Sequence, residues 1–141
     1  MSMRNFLRCF HSLKVFLYSV YLNFGRLNPS AIIEGLSHLK QCLEILSVEN
    51  EAGGPNWSAL IDNPVSLEAS LGSLSDFRKL KRLAVDAYIL LQLKWYYTTG
   101  QISAFAKSLP PSLEFLHIRN ARQLYSTAWL GSFIMAMLLR A

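Results

Sequence analysis

The chain has 141 residues, enough for one domain around one hydrophobic core. Apolar residues make up 52% and charged residues 16%, which excludes a disordered chain, since such chains are polar and strongly charged. The net charge is +5, but the one tight basic cluster, Arg78, Lys79, Lys81 and Arg82, straddles Leu80 and Leu83. A nucleic-acid footprint gathers its basic residues on one face. Residues that alternate with apolar positions read instead as the solvated flanks of a strand, with a phosphate-binding patch as the alternative. No nucleic-acid partner is expected.

Met3, Phe6, Leu7 and Phe10 lie at helical spacing and predict a helix over residues 3–11. Arg4, Arg8 and Lys14 stand ahead of the apolar stretch from Val15 to Phe24, which resembles a signal peptide in outline. That stretch has no small-x-small cleavage site and contains two Tyr, one Ser and one Asn, so it reads as part of the fold. Asn28-Pro29 is a helix start: Asn caps free amides and Pro suits the first helical position. Ile32, Leu36, Leu39 and Leu43 then make one apolar stripe. A strand over 43–49 follows, with Leu46 and Val48 inward and Ser47 and Glu49 outward.

Gly53-Gly54-Pro55 centres a loop over residues 51–56. Residues 57–76 fit either a short helix or an irregular segment, because Leu67, Leu71 and Leu74 have mixed spacing around Gly72. A strand is predicted over 80–86. Residues 88–97 place Leu91, Leu93, Trp95 and Tyr97 at period two, as in an extra strand or an extended insertion. Ile102, Phe105, Ala106 and Leu109 predict a helix over 101–109, stopped by Pro110-Pro111. The twelve largely apolar residues from Ala128 to Leu139 are too few to span a bilayer, which needs about 20. They read as a terminal helix.

One phrase recurs through these elements. It reads Leu-x-x-(Leu or Phe)-x-(Val, Ile or Tyr), with a charged residue after the first Leu. That Leu stands at 13, 43, 80 and 113, giving steps of 30, 37 and 33 residues. Self-similarity at such a period marks a solenoid, in which each unit packs on its neighbours. The element order becomes helix then strand, about four times, with right-handed crossovers between parallel strands. Stacked in order, the strands would set Lys14, Glu44, Lys81 and Glu114 side by side. Alternating charges on neighbouring strands stabilise by about 0.2–1 kcal/mol per pair.

Three stretches carry a family resemblance: His38 to Val48, Leu71-Gly-Ser-Leu through Leu80-Lys-Arg-Leu-Ala-Val85, and Leu109-Pro-Pro-Ser-Leu-Glu through Ile118. In these the chain resembles leucine-rich repeat proteins, and more narrowly the fungal ones related to F-box proteins, over roughly residues 3–122. The resemblance implies an α/β leucine-rich-repeat solenoid arc of about four strand–helix units over 1–124, followed by an apolar C-terminal tail over 125–141. Two departures stand out. The family places Asn or Cys eight residues after the first Leu, whereas this chain has Glu51, Tyr88 and Ala121 there, with Asn50 and Asn120 one residue early. The F-box expected ahead of the repeats has no room before residue 3, so the chain reads as a fragment of a longer protein.

No catalytic pattern stands in the sequence: there is no phosphate loop, no His-Glu-x-x-His and no Gly-x-Ser-x-Gly. Cys9 and Cys42 are too few for a disulfide scaffold or a four-Cys zinc site, and read as buried free thiols in a reducing compartment, cytoplasmic or nuclear. His11 and His38 fall near helix ends, as packing or capping groups. Trp57, Trp95, Tyr96 and Tyr97 read as cover for gaps in an irregular solenoid, or as binding anchors. Neither end resembles a polar cap, so Phe6, Phe10, Trp129, Phe133 and Met137 would be exposed.

The expectation is therefore a protein-binding module, not an enzyme, with no cofactor or metal. Its contact residues would be the outward strand positions Ser47, Glu49, Ala84, Asp86, His117 and Arg119. Two alternatives stand beside it. One is the substrate-receptor part of an F-box ubiquitin ligase, with the F-box encoded elsewhere. The other is a small membrane-associated protein held by its apolar ends.

Overall fold

The computed structural model describes residues 2–20, 29–50, 73–86, 106–119 and 137. Helix α1 (Met3–Leu7) leads into strand β1 (Val15–Val20). Helix α2 (Pro29–Leu36) runs on as a 3-10 turn (Ser37–Leu39) into β2 (Ile45–Asn50), and β3 (Arg82–Asp86) and β4 (Phe115–Arg119) follow. The four strands form one sheet in the order β1-β2-β3-β4, and every neighbouring pair is parallel. The expected α/β class holds.

The register superposes the four copies of the phrase. Phe16, Leu46, Leu83 and Leu116 form one row across the sheet, and Tyr18, Val48, Val85 and Ile118 form another. Successive strand side chains point to opposite faces, so both rows share a face. That face is the core side: Leu46, Val48, Leu83 and Val85 are fully buried, and the four end-strand members are packed against them and half-buried. The first Leu of the phrase follows suit, with Leu43 and Leu80 buried and Leu13 and Leu113 half-buried. A parallel strand that advances always in one direction with crossovers of one hand sends every connection over the same face. Ile32, Leu36 and Leu39 between β1 and β2, Leu74 and Phe77 between β2 and β3, and Ala106 and Leu109 between β3 and β4 cover that core side, all at most 2% exposed.

Each strand is entered in the same way. The carbonyl of Lys14 accepts from Glu44 N and Ile45 N at 2.7 and 3.0 Å. The carbonyl of Glu44 accepts from Lys81 N and Arg82 N at 2.8 and 3.1 Å, and that of Lys81 from Glu114 N and Phe115 N at 2.9 and 3.0 Å. The turns before the strands are stitched together too. His38 Nε2 donates to the Phe10 carbonyl, Arg78 N to Lys40 O at 3.2 Å, and Ser112 Oγ to Leu80 O at 2.8 Å.

One glycine is required by close approach. A Cβ on Gly35 would sit 2.9 Å from both Cβ and Cδ1 of Leu7 and 3.3 Å from Cα of Arg4, so α1 packs directly on the α2 backbone there. Arg4 closes the same contact with an ion pair to Glu34 at 3.2 Å.

The structure corrects several expectations. The first helix ends at Leu7, not at residue 11, because Cys9 N and Phe10 N make tight bonds to Phe6 O and Leu7 O that close the last turn. Cys9 therefore lies past the helix and is exposed, and Cys42 is half-buried; both are free thiols, but neither is buried as expected. The strands start two residues after the first Leu, since that Leu and the charged residue after it still belong to the entry. Met137 packs against the core instead of standing exposed, whereas Phe6 and Phe10 are exposed and meet edge to face at 5.3 Å. The expected loop at 51–56, the strand at 88–97, Trp57, Trp129, Phe133 and the rest of the 125–141 tail lie outside the described residues. Residues 73–76 contain a turn at 75–76 and no helix, and residues 106–108 are helical ahead of Pro110, while 57–72 and 101–105 lie outside the described residues.

Candidate interaction face

The face of the sheet opposite the core carries the odd-numbered positions of β1, β2 and β4 and the even-numbered positions of β3. Register groups them in three rows: Val15, Ile45, Arg82 and Phe115; then Leu17, Ser47, Ala84 and His117; then the pairs Ser19 with Glu49 and Asp86 with Arg119. All six residues expected from sequence to contact a partner fall in the second and third rows. Ser47, Glu49, Ala84 and Arg119 are half-buried and His117 is exposed, while Asp86 pairs in register with Arg119.

Two of the six engage each other. Arg119 Nη1 donates to Glu49 Oε2 across the intervening strand β3. Strands two places apart are separated by about 10 Å, a gap that the long guanidinium arm spans. With 32% and 23% of their side chains exposed, both charges are partly withdrawn from water, so the pair is committed to itself first. In the middle of the second row, small Ser47 and Ala84 stand side by side, with Leu17 and His117 at the ends. They make the low ground of the face.

The first row was missed by the sequence reading, although it carries the largest side chains. Phe115 lies under the Arg82 guanidinium at 5.8 Å and meets the His117 ring edge-on at 6.5 Å. Val15, Leu17 and Phe115 are 45%, 68% and 54% exposed, and all three lie on the end strands β1 and β4. The signal was available: Val15, Ile45, Arg82 and Phe115 each stand two residues after the first Leu, at the same phase as the residues chosen.

The charge alternation expected at the strand entries is present at two of its three steps. Lys14 pairs with Glu44 at 3.7 Å and Lys81 with Glu114 at 3.9 Å. The basic cluster is correspondingly exposed along the strand flank, with Arg82 held over Phe115.

Among the described residues no three of His, Cys, Asp and Glu converge to hold a metal ion, and no helix is long and apolar enough to cross a membrane. The chain matches no family model, no curated protein and no solved structure.

Proposed function

We propose that this chain is a leucine-rich-repeat-type solenoid arc whose function is to bind a protein through the open face of its parallel sheet, without catalysis. One observation carries the reading: four copies of a single phrase stack in register, so that equivalent outward positions form rows on the face opposite the core. Parallel sheets are ordinarily covered on both faces. Here Val15, Leu17 and Phe115 stand exposed on the second face, and exposed apolar side chains of this kind mark an interaction site. The contact residues are Ser47, Ala84 and His117 on the low ground, Glu49, Asp86 and Arg119 at one side of it, and Arg82 with Phe115 at the other. Recognition follows from shape and from a mixed surface, where a partner lays apolar side chains on Leu17 and Phe115 and polar groups against Arg82 and His117. Aromatic residues and Arg are the usual anchors of such contacts.

The test is Ala84→Arg, which plugs the centre of the face without touching the core. Cross-linking of tagged chain in its native cell, compared between wild type and Ala84→Arg, should show partners lost with the variant while its thermal unfolding stays unchanged. An identical set of cross-linked partners in both would overturn the reading.

A further inference from the structure

We propose that the chain associates head to tail with further copies of itself, the β4 edge of one copy accepting the β1 edge of the next in parallel. The two edges complement each other at every level of the repeat.

The first level is charge. The ladder Lys14, Glu44, Lys81, Glu114 begins with a cation and ends with an anion, so a second copy laid against β4 sets its Lys14 beside Glu114 and continues the alternation. The two ladder ends are also its most exposed members, at 70% for Lys14 and 69% for Glu114, against 40% for Glu44 and 54% for Lys81.

The second level is the backbone. Ile45 N bonds to Lys14 O and Phe115 N to Lys81 O. Peptide groups alternate sides along a strand. Val15 and Leu17 therefore turn their N–H and C=O away from β2, and Glu114, Leu116 and Ile118 turn theirs away from β3. In the existing register, the carbonyl of Glu114 would receive Val15 N of the next copy, just as the Lys81 carbonyl receives Phe115 N. Ser12 repeats Ser112, which donates to Leu80 O of the preceding unit. Ser12 is exposed, and the matching acceptor is Leu113 O of the preceding copy.

The third level is apolar burial. Every core-side row is fully buried in its two central members and half-buried at its ends: Leu13, Phe16 and Tyr18 on β1, and Leu113, Leu116 and Ile118 on β4. Head-to-tail pairing sets Phe16 against Leu116 and Tyr18 against Ile118. On the outer face it sets Val15 against Phe115 and Leu17 against His117. An exposed apolar edge strand is a template for pairing, and a heterologous contact that repeats without closing builds chains of copies.

The experiment is sedimentation velocity over a concentration series, with wild type and two edge variants. Leu17→Pro removes an edge N–H from β1 and leaves β4 intact. Glu114→Lys reverses the β4 edge and leaves β1 intact. Wild type should grow beyond a dimer as concentration rises, and each variant alone should stay a monomer over at least a tenfold higher concentration. A mixture of the two should form a one-to-one dimer, because each variant supplies the edge that the other has lost. Circular dichroism confirms the fold of both, and if Leu17→Pro fails to fold, Leu17→Lys replaces it as the β1 variant. Wild type that stays monomeric throughout overturns the proposal. So does Glu114→Lys that dimerises alone, which would mean that two β1 edges pair with each other, and so does growth that neither variant reduces.

Discussion

The two faces of the sheet alternate along the same four strands, yet they obey different rules. On the core side the four copies agree in chemical type: Leu throughout at the first position, then Phe or Leu, then Tyr, Val or Ile. On the open side the rows mix types, for instance Val15, Ile45, Arg82 and Phe115. Close packing punishes departures in size and polarity on the core side, where each side chain has neighbours in the adjacent strands and in the overlying connection. On the other side Val15, Leu17, Arg82, Phe115 and His117 are exposed, so size and polarity are less constrained there. One parity of the strands carries the packing of the sheet, and the other parity varies.

The sharpest break of this comparison is a matched pair of truncations. Leu83→Ala removes a fully buried side chain at the centre of the core-side row and should destabilise by about 2–5 kcal/mol. Leu17→Ala removes a larger exposed area from the open side and should change stability by less than about 0.5 kcal/mol. Urea unfolding at a concentration where the chain is monomeric measures both. Equal effects would mean that the open face is covered in solution.

Gly35→Ala examines the layer above the core side. The new methyl would stand 2.9 Å from Leu7 on α1, and both backbones would have to part. A loss of about 1–3 kcal/mol is expected from such overpacking, despite the better helix propensity of Ala. In a Leu7→Ala background, which removes the Cδ1 contact and leaves the Cβ contact, Gly35→Ala should cost less than it does in wild type.

The open face has one internal tie of its own, between Arg119 and Glu49. A double-mutant cycle with Arg119→Ala and Glu49→Ala should give a coupling of about 1–2 kcal/mol, at the upper end for a partly exposed charged hydrogen bond. Coupling near zero would leave both charges available to a partner.

Much of the sheet was legible because its signal is repeated. Leu46 and Val48 are read as inward from alternation alone, and both are buried, as are their register partners Leu83 and Val85. The Ile32, Leu36, Leu39 and Leu43 stripe was legible for the same reason, although only its first part is α-helix. What escaped was set by the third dimension. The early end of α1 follows from the chain having to turn into Leu13, and the exposure of Cys9 follows from that end. Gly35 carried no sign of its role, because the partner that requires it lies 28 residues away at Leu7. The Glu49–Arg119 tie joins residues 70 apart and skips a strand, a pairing no local pattern contains. The outward parity was legible, but its first row passed unread because an apolar residue at 15 or 115 resembles core until its phase is counted from the Leu.

The smallest expected effect concerns the two serines that open the first and last copies. Ser112 Oγ donates to the Leu80 carbonyl at 2.8 Å and lies near the Phe77 carbonyl at 3.5 Å, tying one turn to the turn before it. Ser112→Ala should therefore cost about 1 kcal/mol, the net worth of one hydrogen bond whose acceptor is partly shielded from water. Ser12 holds the same place in the first copy and has only α1 before it, so Ser12→Ala should leave the unfolding of the monomer unchanged. The two substitutions differ only in whether a preceding unit stands behind the serine. If copies pair end to end, that difference vanishes at high concentration: Ser12→Ala should then weaken association by up to about fivefold, the binding equivalent of about 1 kcal/mol. A monomer stability equally sensitive to both serines would mean that Ser12 already has its acceptor within its own chain.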